Sequence, residues 1–547
     1  MKVISKTVFC LFPLLFPLSA SAQITRDGTT STTVTPTEAG VRIDDGNRAG
    51  GNLYHSFGEF SIPTGSEAFF NNASDIANIF SRVTGGNISN IDGLIRANGA
   101  ANLFLINPAG IVFGEGASLQ LGGSFYGSTA DSIIFPDGEF SATDLENPPL
   151  ITVNAPIGLG FRDNPGDIAI NDDSTGQSFS FLAVNQGQNL ALVGGNVSIN
   201  RGFISAPGGR IELGGLASEG IITFDENGSL VFPEDVARGN VSLTQGTLID
   251  VTSDGGGFIR VNANDLEIVD GSEIFAGIGE GLGTLESQAG DIEINARNIS
   301  LFDGSQITSI NSGLGNIGKI TLNATENIVV DGGNSNSGVA QIVDPEATGD
   351  VGSINIQAQN LTLTDGGSIG NLVAGTADSG DINITVADTI VIDGFSELTT
   401  LPSQIISARA NGDSGDISIS TNNLFLSRSG VIINSILGQG NAGNINITAA
   451  DSVTIDNTGI AENNEGSPRN GIFASVSASS IANGGDIEIN TGNLFLTRGL
   501  ISNSSAGDGD AGNITLNVAN TFLADDSRIN SNIGIGNRED APALGKV

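Results

Sequence analysis

The chain holds one histidine, His55, and one cysteine, Cys10, in 547 residues. A hydrolytic relay that needs an imidazole base would have to be organised around His55. Cys10 lies in an apolar run at the start of the chain. A thiol nucleophile, a disulfide framework and a zinc-cysteine site are therefore excluded. What the chain has in quantity is carboxylate, 60 Asp and Glu against 21 Lys and Arg, for a formal charge of −39. Clustered carboxylates with arginine or lysine can cleave polysaccharides, and this is the catalytic chemistry left open. Arg409, Arg428 and Arg498 fall near turns, but no acidic-basic constellation recurs around them. Asp291, Asp381, Asp416 and Asp486 each follow a glycine. Calcium-binding Gly-Gly-x-Gly-x-Asp nonapeptides are missing, and Asp and Asn suit tight turns, so these positions are expected to be structural. No Walker loop or dinucleotide fingerprint stands out. The expectation is no catalytic, cofactor-binding or metal residue, and no enzyme.

The elements that would position any such residues come from an internal repeat. From residue 290 a unit recurs of glycine, a polar residue, Ile, a polar residue, and Ile or Leu. Gly290-Asp291-Ile292-Glu293-Ile294 is one copy, and others begin at Gly318, Gly352, Gly380, Gly415, Gly443, Gly485 and Gly512. Each reads as a strand with one apolar and one polar face. A second apolar pair follows at +9 and +11 (Ile299, Leu301) or at +10 and +12 (Ile328, Val330), and the two offsets alternate along the chain. Within a pair of units the spacing is 27 or 28 residues. A third short strand often follows, as at Gln306-Ile307-Thr308. Three short strands plus turns make one coil of a parallel β-helix. Ile292, Ile320, Ile354, Ile382, Ile417, Ile445, Ile487 and Ile514 should stack as one inward ladder. With an earlier relative at Gly257 (Phe258-Ile259-Arg260-Val261), nine clear coils predict a rod section about 40 Å long. Residues 333–350, 394–413 and 457–483 read as longer excursions, rich in Gly, Asn, Ser and Pro, projecting from one side. A repeat of about 28 residues with this pattern is neither leucine-rich nor propeller-like.

Residues 1–22 read as a secretory signal peptide: Lys2 and Lys6, an apolar run from Val8 to Leu18, and a small-x-small site at Ala20-Ser21-Ala22. No later stretch is long and apolar enough for a membrane-spanning helix. The acidic field makes nucleic acid and anionic membranes poor partners. With 39% hydrophobic residues the chain can nonetheless bury a core.

Residues 23–165 depart from the repeat while keeping strand-like runs such as Asn102-Leu103-Phe104-Leu105-Ile106. Here the sequence resembles a known family. The block Gly51-Asn52-Leu53-Tyr54-His55-Ser56-Phe57-Gly58-Glu59-Phe60 is similar to the early segment of the filamentous-haemagglutinin-type secretion domain. Asn107-Pro108-Ala109-Gly110-Ile111 resembles that family's N-P-N-G-I motif, with Ala109 for the second Asn. The family's N-P-N-L motif is missing, and Asn71-Asn72-Ala73 stands near its place without the proline. The resemblance covers roughly 23–140. It implies a two-partner secretion exoprotein whose secretion-motif residues are Asn52, His55, Phe57, Asn107, Pro108, Ala109, Gly110 and Ile111. It further implies recognition by a dedicated outer-membrane β-barrel transporter, release as an unfolded chain, and folding outside the cell with the N-terminal domain as nucleus and cap.

The expected architecture is thus all-β: a signal peptide (1–22), a secretion domain (23–165) and a right-handed parallel β-helix (166–547). The expected protein is a secreted adhesin or structural filament on the surface of a Gram-negative-type bacterium, with a carbohydrate or protein receptor at the cell surface. The competing expectation is a secreted carbohydrate-active β-helix enzyme.

Overall fold

The computed structural model describes residues 23–171, 180–333, 335–396, 398–458, 470–478 and 480–533. The signal-peptide reading falls on residues 1–22, which lie outside the described residues. No helix occurs among the described residues; the chain is strands and turns.

Three columns of parallel strands form the walls of a β-helix. The first runs Asn52–Ser61, Asn78–Val83, Asn102–Ile106, Phe125–Ser128, Asn189–Gly194, Arg210–Gly215 and Phe258–Asn262. The second runs Ser89–Ile91, Ile111–Phe113, Ile168–Asn171, Val197–Asn200, Val241–Thr244 and Asp265–Ile268. From Ile292–Leu301 onward these two columns fuse. The first half of that strand stacks on Phe258–Asn262 and the second half on Asp265–Ile268. The third column runs from Gly40–Asp45 to Arg528–Ile533. Parallel stacking therefore begins long before the regular repeat, because the early coils keep the register while their turns vary in length.

The alternating offset has a simple cause. Ile320–Asp331, Ile382–Asp393, Ile445–Asp456 and Ile514–Asp525 each have 12 residues, whereas Ile354–Thr364, Ile417–Ser427 and Ile487–Thr497 have 11. Where they stack, the register slips between the two halves, as between Ala358 and Asn360. Every second coil carries a one-residue bulge, so both flanking halves keep their apolar residues inward.

Inside, Ile292, Ile320, Ile354, Ile382, Ile417, Ile445 and Ile487 are fully buried and in register. The repeat glycines stack as well. A Cβ on Gly318, Gly380, Gly415 or Gly443 would run into the carbonyl oxygen of the preceding repeat glycine, so no other residue fits that corner. The three longer stretches are not simple loops. Each contains a third-column strand: Gly338–Val343, Gln404–Arg409 and Gly471–Val476.

Two additions distinguish the N-terminal part. Gln23–Arg26 pairs antiparallel with Asn52–Ser61, and Thr32–Pro36 pairs antiparallel with Gly40–Asp45, closing the exposed end of the first coil. A five-stranded antiparallel sheet (Gly138–Ser141, Ser132–Phe135, Gly158–Phe161, Gly220–Phe224, Leu230–Val231) packs on the outside of the first column. It covers a second core in which Tyr54, Phe80, Phe104 and Tyr126 stack coil upon coil, with ring centroids 5.1, 5.0 and 4.3 Å apart.

Candidate secretion-motif site

The strand Asn52–Ser61 is apolar on both faces, which requires cover on both sides. Leu53 and Phe57 enter the interior of the coil, and Tyr54 enters the second core. His55 is buried beneath the cap, stacked on Phe57 with centroids 6.0 Å apart and edge-on to Phe70 at 5.5 Å. Its Nδ1 lies 3.0 Å from the Thr32 hydroxyl of the capping hairpin. Burial pushes the imidazole down to about 4, partly offset by the charge of Asp45, so it is neutral at pH 7.

Asn52 faces the outer sheet. Its Nδ2 donates to the carbonyl oxygens of Thr152 and Asn154 at 3.0 and 2.8 Å. Its Oδ1 accepts from Asn78 at 3.0 Å, and Asn78 in turn accepts from Asn102 at 3.0 Å, an amide ladder across three coils. Tyr54 adds a hydroxyl bond to the Thr152 carbonyl at 2.8 Å.

Asn107 ends the strand stacked two coils beyond Asn52–Ser61, and turns the chain from the first column into the second. It is 1% exposed. Its Nδ2 donates to the Asn87 carbonyl and the Ser89 hydroxyl, both at 2.9 Å, and its Oδ1 accepts the Ala109 N–H at 3.0 Å. The Gly110 N–H closes the turn on the Asn107 carbonyl at 3.0 Å. Gly110 has φ +127°, and an added Cβ would press on the Asp167 carbonyl oxygen. The Pro108 carbonyl accepts the Gly166 N–H of the next coil at 3.1 Å. Ile111 then enters the core between Ser89 and Ile168. Asn72, near the place of the missing second motif, is also buried and bridges to the next coil through the Asn98 carbonyl and N–H.

The structure thus divides the eight motif residues into two groups. His55 and Phe57 anchor the cap, Asn52 anchors the outer sheet, and Asn107 to Ile111 shape a corner two coils away. In the folded state the polar side chains of Asn52, His55 and Asn107 are all occupied by the protein itself.

Sequence reasoning missed the polar clasp between cap and coils. Arg82 is fully buried; its Nε donates to Ser56 at 2.8 Å, Nη2 to Thr29 at 3.0 Å, and Nη1 to the Ser141 carbonyl. Asp27 accepts from Ser56 at 2.5 Å, Thr84 at 2.9 Å and Thr29. Burial would raise the Asp27 carboxyl, but these hydrogen bonds outweigh it and hold it below its ordinary range. The signal was present: Arg82 sits in Asn78-Ile79-Phe80-Ser81-Arg82-Val83, where a cation in a strand apolar on both faces needs a buried partner.

A capped parallel β-helix with an antiparallel sheet laid on its early coils defines the class: a β-helical protein with a specialised N-terminal domain. Residues 22–257 match the family model described as the TPS secretion domain, so this part of the chain is a secretion domain of the two-partner secretion, filamentous-haemagglutinin type. The match takes in the cap, both motif groups and the outer sheet, and ends just before the strand Phe258–Asn262. No curated protein matches the sequence. Among solved structures, the HMW1 secretion domain from Haemophilus influenzae is similar with 17% identity and TM-score 0.39, covering 91% of this chain and 99% of that one. The filamentous hemagglutinin secretion domain is similar with 14% identity and TM-score 0.31, covering 66% of this chain and 96% of that one.

Proposed function

We propose that this chain is an adhesin or structural surface filament, exported through a dedicated outer-membrane β-barrel transporter and folded outside the cell into a rod. The observation that carries the reading is the match of residues 22–257 to a secretion domain that continues, without a break in the sheets, into stacked coils. Two features support the direction of folding. The cap closes the N-terminal end, and each coil presents the edge on which the next one pairs.

The motif side chains are spent inside the folded domain. This favours a division of labour in which the transporter meets them in the unfolded chain and the fold consumes them afterwards. We read the protein as non-catalytic, and its single imidazole, sealed under the cap, supports that reading. Deleting the gene for the neighbouring transporter should abolish the protein in the culture medium and on the surface while leaving synthesis intact; continued appearance outside the cell would overturn the export route. Cleavage of any polysaccharide by the purified protein would overturn the non-catalytic reading.

A further inference from the structure

The third-column strands alternate, one residue inward and the next outward, and the inward set carries the core and buried amides. The outward set is unusual for a chain of formal charge −39. From Gln306–Asn311 to Gly471–Val476 its large members are Ile310, Ile342, Leu372, Ile406, Ile433 and Phe473. None of these side chains joins a buried core cluster, and Leu372 is 42% exposed. In these two outward columns and the turn position that follows them, Asp344 is the one charged side chain, and Ser312 bonds it at 2.6 Å. The fused strands of the same coils instead expose Glu326, Asp388 and Asp451.

The order of large and small residues on this face has a pattern. In the strands at Gln306, Gly338 and Ser368 the large side chain stands in the later outward column, as Ile310, Ile342 and Leu372, and the earlier column holds Thr308, Ala340 and Gly370. In the strands at Gln404, Val431 and Gly471 the order reverses. The earlier column holds Ile406, Ile433 and Phe473, and the later one Ala408, Ser435 and Ser475. Thr308 and Gly370 are sunk below their neighbours, so the face alternates ridges with hollows.

We propose that this face pairs with the same face of a second copy, the two rods lying antiparallel. A two-fold axis along the strand direction, between Ser368–Val373 and Gln404–Arg409, sets Leu372 over the partner's Ala408, Ile342 over the partner's Ser435 and Ile310 over the partner's Ser475. The same axis sets Ile406 over the partner's Gly370, Ile433 over the partner's Ala340 and Phe473 over the partner's Thr308. Every large side chain meets a small one, and each contact occurs twice, as an isologous interface requires. Rods packed in the same direction about the later column would set Leu372 on Leu372 and Ser435 on Ser435, large on large and small on small. Six coils by the width of the strands give about 600 Å² per copy, the lower edge of a specific interface and suited to reversible micromolar pairing. The uncharged face is where two acidic rods can approach at least cost. The proposal rests on the β-helix alone and is independent of the export route.

Sedimentation equilibrium of the purified chain should show a monomer below about 1 µM and a dimer above about 100 µM. Pairing should tighten several-fold between about 0.05 and 0.5 M salt, because screening relieves the repulsion of the two acidic rods. Leu372→Asp, on an exposed side chain, should weaken pairing about tenfold or more with an unchanged circular-dichroism spectrum. Ala408→Lys should do the same. An equimolar mixture of the two variants should dimerise again, because antiparallel packing brings position 372 of one copy opposite position 408 of the other. A chain still monomeric at about 300 µM would overturn the proposal and leave the face to a different occupant. Pairing that weakens with salt, undiminished pairing by Leu372→Asp, or a mixture no better than either variant alone would overturn it as well.

Discussion

Asn107 illustrates how a motif residue is used structurally in the folded domain. Its amide satisfies three partners in a corner almost closed to solvent. Asn107→Ala would leave the Asn87 carbonyl and the Ala109 N–H unpaired, and should cost about 2 kcal/mol, read as a lower urea midpoint of the purified protein. Two buried ionisable residues give a pH prediction with opposite signs. His55 titrates at about 4 when folded, below its ordinary 6.5. The unfolded chain therefore binds more protons between those values, and stability is lost as pH falls through that window. Glu212 is 3% exposed; its carboxylate accepts the Leu230 N–H of the outer sheet and lies near Arg210. Burial pushes its pKa up to about 7 from 4.5, against the Leu230 bond and the Arg210 and Arg260 charges. The folded state then holds the proton more tightly, and stability falls as pH rises from 4.5 to 7. Each effect is worth at most about 3 kcal/mol, so the two nearly cancel in the wild-type chain. Glu212→Gln should leave a protein that melts lower at pH 4.5 than at pH 7, and His55→Gln one with the reverse slope. Thermal midpoints at the two pH values check both.

At the scale of the element, the unit is a coil braced across its interior. The third-column positions Gln341, Asn371, Asn434 and Asn503 are buried and donate across the coil to the carbonyls of Gly318, Gly380, Gly415 and Gly485. The aspartates after the repeat glycines have an equally plain use: Asp381 accepts the N–H of Asp416, Asp416 that of Asn444, and Asp486 that of Asn513, at 2.9, 2.7 and 2.6 Å. Each polar corner is thus a ladder in which one coil's side chain pairs the next coil's backbone. The apolar ladder should be the least tolerant. Ile382→Asp places an unpaired carboxylate between Ile354 and Ile417 and should cost about 4 kcal/mol or more, melting the adjoining coils. An unchanged circular-dichroism melt would contradict the register. These bracing amides were visible as polar residues in third strands, but their partners lie 9 to 23 positions away and only the coil brings them together.

For the whole molecule the decisive asymmetry is the cap. Coils stack on one another along the rod, whereas the N-terminal end is closed by antiparallel strands and the Asp27–Arg82 clasp. Removing residues 23–36 should expose the first coil's edge and the Phe57–Phe70 cluster, turning a monomer into larger species in light scattering. Retention of a monomer would mean that the cap serves something other than edge protection.

The repeat itself determined a great deal. Period-two alternation, recurring glycines and the Ile and Leu ladders dictate stacked parallel strands, because only that arrangement buries every apolar face. The His55 block and the Asn107 turn pointed to the secretion domain. Tertiary structure alone decided the rest. The alternating offset could be counted in the sequence, but that it is a bulge within one bent strand depends on which residues stack. The early coils were obscured because unequal turn lengths hide a common register. The two-faced aromatic strands implied a cover, yet that cover comes from Ser132–Phe135, Gly158–Phe161 and Gly220–Phe224, distant segments joined only by folding. Local periodicity fixes which face of a strand is apolar; what lies against that face is set by where the coil returns the chain.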